Sequence, residues 1–379
     1  MGTDDLERSG SLTRRSNRKT IHPVPFPPQG TYESVRPKRW KIFWLIPLIV
    51  LANVAMLIIT MGINNCPKNS INGGCIAKFL GRFSFEPLKE NPLLGPSAET
   101  LLNVGALESN RVTKQHEGWR LVSCIWLHGG VFHLLVNMLS LVFIGIRLEQ
   151  EFGFIRIGLL YLLTGFGGSL LSALFIQNQI SVGASGALFG LLGAMLSELL
   201  TNWTVYSNKC AALSTLIIII IVNLAVGLLP HIDNFAHIGG FISGFLLGFV
   251  ILIKPQFGWK AHWASARPDV EAPVKSKHTK YQYVLWIAAF ILLLAGYAVA
   301  IILLFKGVDV NTKCSWCHYL NCIPTSRWHC NNGGVACQNS FDKGYLTLTC
   351  VNNGQAKDFP KIMNASSTQL IILCSQTCS

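Results

Sequence analysis

Charge is what this chain lacks. Only 13% of its 379 residues are Asp, Glu, Lys or Arg, about half the share usual in soluble domains, whereas 50% are hydrophobic. A water-soluble globular protein is excluded on that balance. Acidic residues are the scarcer sign, 18 against 31 basic ones. Within the long apolar runs, ionisable side chains are nearly absent away from the ends, which removes the midplane charges a transporter uses. No short apolar core followed by a small-residue cleavage site stands near the N-terminus, so no cleaved signal peptide is expected. There is no internal repeat, and no low-complexity tract beyond the N-terminal tail.

What is present is a set of seven apolar stretches. Ile42–Met61 and Tyr283–Phe305 are each about 20 residues or more without a charge, enough to span ~30 Å of hydrocarbon. Between them lie Leu121–Gly145, Phe154–Ile176, Ala184–Leu200, Ala211–Leu229 and Phe235–Ile253. The expected fold is an all-α polytopic membrane protein: a six-span core over 41–254, a seventh helix over 282–306, and a small cysteine-rich domain over 307–379. The first loop, 62–120, is too long for a simple turn and contains Trp119-Arg120. Residues 1–40, rich in Ser, Arg and Pro, read as a disordered basic tail, and 255–281 as a basic linker.

The formal net charge of +13 does not point to nucleic acid, because orientation in a membrane accounts for its placement. Nine Lys/Arg fall in 1–41 and six in 254–280, against seven in the much longer loop 62–120. Positive charge marks the cytoplasmic face, so the tail and linker are expected inside and the C-terminus outside. Eight of the twelve cysteines follow the last span: Cys314, Cys317, Cys322, Cys330, Cys337, Cys350, Cys374 and Cys378. In a small non-cytosolic domain that density reads as a disulfide framework. A zinc site at Cys314-x-x-Cys317, with His318 and His329 nearby, is the alternative. Cys66 and Cys75 make a further pair, while Cys124 and Cys210 are expected free. Asn364-Ala365-Ser366 is a glycosylation sequon on the expected outer side. Asn202-Trp203-Thr204 falls on the inner side and should stay unmodified.

Three fragments carry chemistry. His128-Gly-Gly-Val-Phe-His133-Leu-Leu-Val-Asn137 lies at the outer end of span two, Gly183-Ala184-Ser185-Gly186 opens span four, and Asp233-Asn234-Phe235-Ala236-His237-Ile-Gly-Gly240 opens span six. Glycines beside Ser185 permit a tight turn into the helix, whose unpaired N–H groups can stabilise an oxyanion. Gly186, Gly190 and Gly193 face one way on span four. Gly240, Gly244 and Gly248 do the same on span six. Such stripes let two helices approach closely, which would bring His237 within hydrogen-bond reach of Ser185, as an activated nucleophile requires. His133 and Asn137, one turn apart, project from one face and could donate to an oxyanion. Each residue alone has an ordinary reading. His128 is expected to support the loop, Leu188 and Phe189 to be core, Asn223 to bond a neighbouring helix, Asp233 or Asn234 to cap span six, and Glu149 with Arg147 to anchor the inner end of span two. The fragments in order, at one membrane depth, carry the assignment.

These motifs, with Trp119-Arg120, resemble the signature of rhomboid proteases, closely over about 115–250 and loosely over the seven-span layout. The six-helix core with one added C-terminal span is similar to secretase-type members, and the basic tail and cysteine-rich domain look like plant rhomboid-like proteins. The resemblance implies a Ser185–His237 dyad without an acidic third member, an oxyanion hole from His133, Asn137 and the Ser185 N–H, and spans two and five as a gate. It further implies cleavage of single-span membrane proteins in the bilayer, with no metal or cofactor. Phe189 stands where bacterial members can have a tyrosine stacked on the histidine; a phenyl ring can stack as well. Inactive relatives lose the serine or histidine or place proline before the serine, and none of these changes is present. A catalytically silent client-binding relative is the competing reading. Secretory membranes, Golgi or plasma membrane, are the expected location, since Asp4, Asp5 and Glu7 argue against a transit peptide.

Overall fold

The computed structural model describes residues 43–69, 74–88, 90–176, 179–203, 208–227, 232–254 and 278–308, with shorter stretches from 310 to 377. The tail 1–40, most of the linker 255–281, and Asn364 lie outside the described residues. The apolar runs become helices. α1 spans Leu45–Asn64 and a single turn, α2 (Cys66–Asn69), follows it. Three short helices come next: α3 (Ala98–Val104), α4 (Ser109–Lys114) and α5 (Arg120–Ser123). The long ones are α6 (Val131–Phe152), α7 (Phe154–Phe175), α8 (Ser185–Thr201), α9 (Lys209–Val226), α10 (Asn234–Ile251) and α11 (Lys280–Phe305).

Five of the seven expected spans (α1, α6, α7, α10 and α11) are long and apolar enough to cross a bilayer; α8 and α9 sit where expected but are shorter. α8 is fastened at one end. Its last turn is tied down: Tyr281 Oη donates to the Thr201 carbonyl at 2.9 Å, and the Lys254 N–H donates to Asn202 Oδ1 at 3.2 Å. Lys254 also pairs with Glu151 and Glu198 there. Ser185 sits at the opposite end of α8.

The second span is displaced from the expected Leu121–Gly145. Residues 120–126 form separate short turns, and α6 begins only at Val131. Gly129-Gly130 makes the break. A Cβ on Gly130 would lie 2.3 Å from the Leu93 carbonyl oxygen, so only glycine lets the loop strand 93–95 cross here. That strand caps α6: the N–H groups of Val131 and Phe132 donate to Leu94 and Leu93 at 2.9 and 3.3 Å. Two other expectations are corrected. Glu149 turns inward and accepts from the N–H groups of Trp44, Leu45 and Ile46 at 3.0, 2.9 and 2.9 Å; it caps the start of α1. Asn223 bonds back to Ile219 in its own helix at 2.7 Å, not to a neighbour.

The described residues of loop 62–120 are folded, not loose. A Cys66–Cys75 disulfide closes its start. Asn64 donates to Glu86 at 2.8 Å and accepts from the Ser97 N–H and Thr100 hydroxyl at 2.9 and 2.8 Å. Arg120, 2% exposed, donates to the carbonyls of Leu102 and Ala106 at 2.6 and 2.8 Å and to Glu117, with Trp119 against its guanidinium. A two-way backbone bridge joins Leu107 to Ser181, just ahead of α8. The loop is thus bolted to the segment that delivers Ser185.

Beyond α11, Cys314 and Cys317 form a disulfide, the outcome the framework reading expects over a zinc site. Cys124 and Cys210 are free. The C-terminal region also holds an antiparallel sheet that apolar patterning did not announce: β1 (Cys337–Asp342), β2 (Tyr345–Cys350) and β3 (Ala356–Pro360), with Cys337 opposite Cys350 in register.

Candidate active site

Ser185 is the first residue of α8, and the turn before it rests on Gly183. Its φ of +129° disfavours any other residue, and its N–H donates to the Cys124 carbonyl at 3.0 Å. A Cβ there would fall 2.8 Å from Cε1 and 2.9 Å from Nε2 of His133, and 3.7 Å from Ser185 Oγ. Gly183 therefore bends the chain and leaves room for the His133 imidazole beside the serine.

α8 and α10 meet along their glycines. A Cβ on Gly240 would lie 1.9 Å from the Gly186 carbonyl oxygen, one on Gly244 2.0 Å from that of Gly190, and one on Gly248 2.8 Å from Ala194 Cα. Equal four-residue steps on both helices mean that they run in the same direction. With Gly186 facing Gly240, Ser185 is level with Gly239, about five residues or roughly 8 Å in from the start of α10. Between helices in lipid there is no hydrophobic drive, so close van der Waals contact of this kind supplies the attraction.

His237, 6% exposed, is held on two sides. The Phe189 ring stacks on it at 4.3 Å and 16°, and its Nδ1 lies 3.2 Å from Asn234 Oδ1. One expectation is not met: among the described residues no hydrogen bond joins the Ser185 hydroxyl to His237. Phe189 and Asn234 fix the ring, whereas the hydroxyl rotates about χ1. Contacts of this type commonly tighten only around a bound substrate.

The His133 ring accepts at Nδ1 from the Gly129 N–H at 3.3 Å. A neutral imidazole then carries its proton on Nε2, the atom beside Gly183 and Ser185. Asn137 is buried and donates to the His133 carbonyl at 3.1 Å, leaving its second amide proton unspent. The structure thus joins Asn137 to His133 and brings His133, not Asn137, against the Ser185 turn. His128 is buried edge-on to His133 at 5.2 Å, with neither ring nitrogen partnered among the described residues.

Asp233 does more than cap α10. Its Oδ1 accepts from the Ala236 N–H at 2.9 Å, while Oδ2 accepts from the hydroxyls of Ser172 and Ser181. Burial pushes its carboxyl above the usual range, and those donors oppose the rise. One buried side chain thereby ties α7, the segment before Ser185 and the start of α10 together. The serines sit 61 and 52 residues away, so no local signal announces them. Asn234 was foreseen only as a cap; its spacing of three from His237 places both on one helix face, a sign that could have found the contact.

The Rhomboid domain model matches residues 115–254, the span that holds all three fragments. The chain is 59% identical over 350 residues to RHOMBOID-like protein 1 of Arabidopsis thaliana, covering 92% of this chain and 89% of that one. It is 52% identical to RHOMBOID-like protein 4 of the same plant, over 99% and 92% of the two chains. It is also 44% identical to Inactive RHOMBOID-like protein 8, over 78% and 85%. The chain belongs to the rhomboid family.

Proposed function

We propose that the protein is an intramembrane serine endopeptidase that cleaves single-span membrane proteins within or beside their transmembrane helix. The observation that carries this reading is the placement of Ser185 and His237. They lie on two glycine-locked helices, Ser185 opening α8 level with Gly239 inside α10 and His237 in the first turn of α10, with Phe189 stacked on the imidazole. His237 takes the Ser185 proton as the oxygen attacks the scissile carbonyl, and returns it to the leaving amine. The His133 Nε2–H and the N–H groups at the start of α8 stabilise the developing oxyanion, and the second Asn137 amide proton, one turn farther along α6, joins them in the substrate complex. Water then hydrolyses the acyl-serine by the same path in reverse. No metal or cofactor takes part.

A substrate helix enters between α6 and α9. In this reading the tail is cytosolic, the domain after α11 is lumenal or extracellular and glycosylated at Asn364, and the protein resides in Golgi or plasma membrane. A second reading, a silent client-binding protein, draws on one observation: a relative 44% identical carries the word inactive in its name. Co-expression with a panel of tagged single-span proteins separates the two. The protease produces a fragment with the wild type and none with Ser185→Ala. Equal fragments from both, or none from either across the panel while clients co-purify, favour the silent reading.

A further inference from the structure

We infer that Asn234 is a positioning residue that sets the tautomer of His237, and that the chain's own C-terminal segment Trp316–Asn321 holds it in place. The domain beyond α11 thereby completes the site. This inference rests on the reading of His237 as the general base.

The argument begins with which end of the Asn234 amide points where. Its Nδ2 lies 2.7 Å from the Leu320 carbonyl oxygen and 3.5 Å from that of Leu224. Both are acceptors only, so the amide must present its NH2 to them. An exchanged amide would set oxygen against oxygen twice. Oδ1 is consequently the atom that faces His237 Nδ1 at 3.2 Å. An amide oxygen has no proton to give, so a neutral imidazole must place its own proton on Nδ1. Nε2 is left with a free lone pair, the state a base needs in order to accept the serine proton.

The C-terminal segment grips Asn234 a second time. Asn234 is the first residue of α10, and a backbone N–H in the first turn has no partner within its helix. Here it donates to Asn321 Oδ1 at 2.8 Å, across 87 residues of sequence. Asn234 is 3% exposed, and buried amides of this kind need every partner they have. Leu320 ends a helical turn, Cys317–Leu320, that the Cys314–Cys317 disulfide leads into, and Asn321 follows it. Gly227, at the end of α9, completes the enclosure: a Cβ there would lie 2.3 Å from Asn234 Oδ1 and 3.0 Å from His237 Nδ1. If the C-terminal segment lifts away, the amide is free to turn over. The ring can then adopt the opposite tautomer, whose Nε2–H donates and cannot accept. His237 thus has a neutral third member, consistent with the absence of an acidic one that the family resemblance implies, and this member is under the control of the extramembrane domain.

The test uses the full-length protein with 15N-labelled histidine, in detergent, together with steady-state cleavage of a single-span substrate. The wild type shows His237 as the Nδ1–H tautomer, its signals identified by their loss in His237→Gln. Asn234→Leu shifts the ring toward Nε2–H and lowers kcat by about tenfold or more with little change in KM. Asn234→Asp keeps an acceptor for Nδ1–H and recovers part of that loss. Asn321→Ala, which removes the acceptor of the Asn234 N–H, shows the same kcat-only effect at a few-fold. Should Asn234→Leu fail to fold, Asn321→Ala and the wild-type tautomer decide. An Nε2–H tautomer in the wild type overturns the inference, as do unchanged tautomer and kcat in Asn321→Ala and whichever Asn234 variants fold. If the tautomer moves in these variants while the wild type cleaves nothing, the protease reading fails and the positioning role stands.

Discussion

α8 and α9 are apolar helices of nearly equal length, yet their surroundings are opposite. In α8, 13 of 17 residues are buried. In α9, Ile218, Ile221 and Val222 are 60%, 59% and 55% exposed, and Leu216 and Ile220 make the buried contact, against Phe189 and Leu192. α9 carries the more continuous apolar run, Ile217–Ile221, so hydrophobicity does not decide burial here. In a bilayer, lipid satisfies an isoleucine as well as a neighbouring helix does. Small residues decide it, because only they let backbones touch. Gly186, Gly190 and Gly193 draw α8 into the centre, and α9, which has no glycine between Lys209 and Val226, remains at the lipid boundary.

The largest effect expected from breaking this contrast lies in the glycine seam. Gly244→Leu drives a side chain into the Gly190 carbonyl, 2.0 Å from where its Cβ must go. It should destabilise the protein by about 3 kcal/mol or more, read as a lost or sharply lowered thermal transition in detergent. Ile218→Ala on α9 should stay within about 0.5 kcal/mol of wild type. Equal melting temperatures for the two variants would refute the seam.

A smaller loss tests the chemistry held by that seam. Asn137→Ala removes one proposed oxyanion donor and should slow cleavage by about 10²–10³, with substrate binding and melting nearly unchanged. If Asn137 merely secures α6, stability and binding fall along with activity instead.

The smallest effect concerns orientation and leaves the core untouched. Asn364→Gln should abolish a glycosidase-sensitive mobility shift, and Asn202→Gln should leave it intact. Asn202 is 2% exposed, and its amide is committed to Glu198 and Lys254, so it is closed to modification on structural grounds as well. A shift that depends on Asn202 would invert the topology.

The sequence made legible what repeats at short range. Four-residue glycine spacing announced the α8–α10 contact, and long uncharged runs announced the helices. The expected start of the second span failed because 121–127 is as apolar as a span, and the break depends on a loop strand crossing Gly130. Glu149 was misjudged for a similar reason: its partners at the start of α1 lie more than 100 residues away. Arg120, Asp233 and Asn234 follow the same rule. Each has one partner three residues away that spacing can suggest, but the rest lie far along the chain: Leu102 and Ala106 for Arg120, Ser172 and Ser181 for Asp233, Leu320 and Asn321 for Asn234.

The central claim is that Ser185 and His237 act as one unit, and covalent labelling tests it most directly. The purified protein is exposed to a small phosphonofluoridate and the modified peptide is mapped by mass, alongside cleavage assays of the single and double alanine variants. The account predicts a label on Ser185 in the wild type, almost none in His237→Ala, and a double variant no less active than either single one. Full-rate labelling of Ser185 in His237→Ala, or losses that add across the two substitutions, would contradict it.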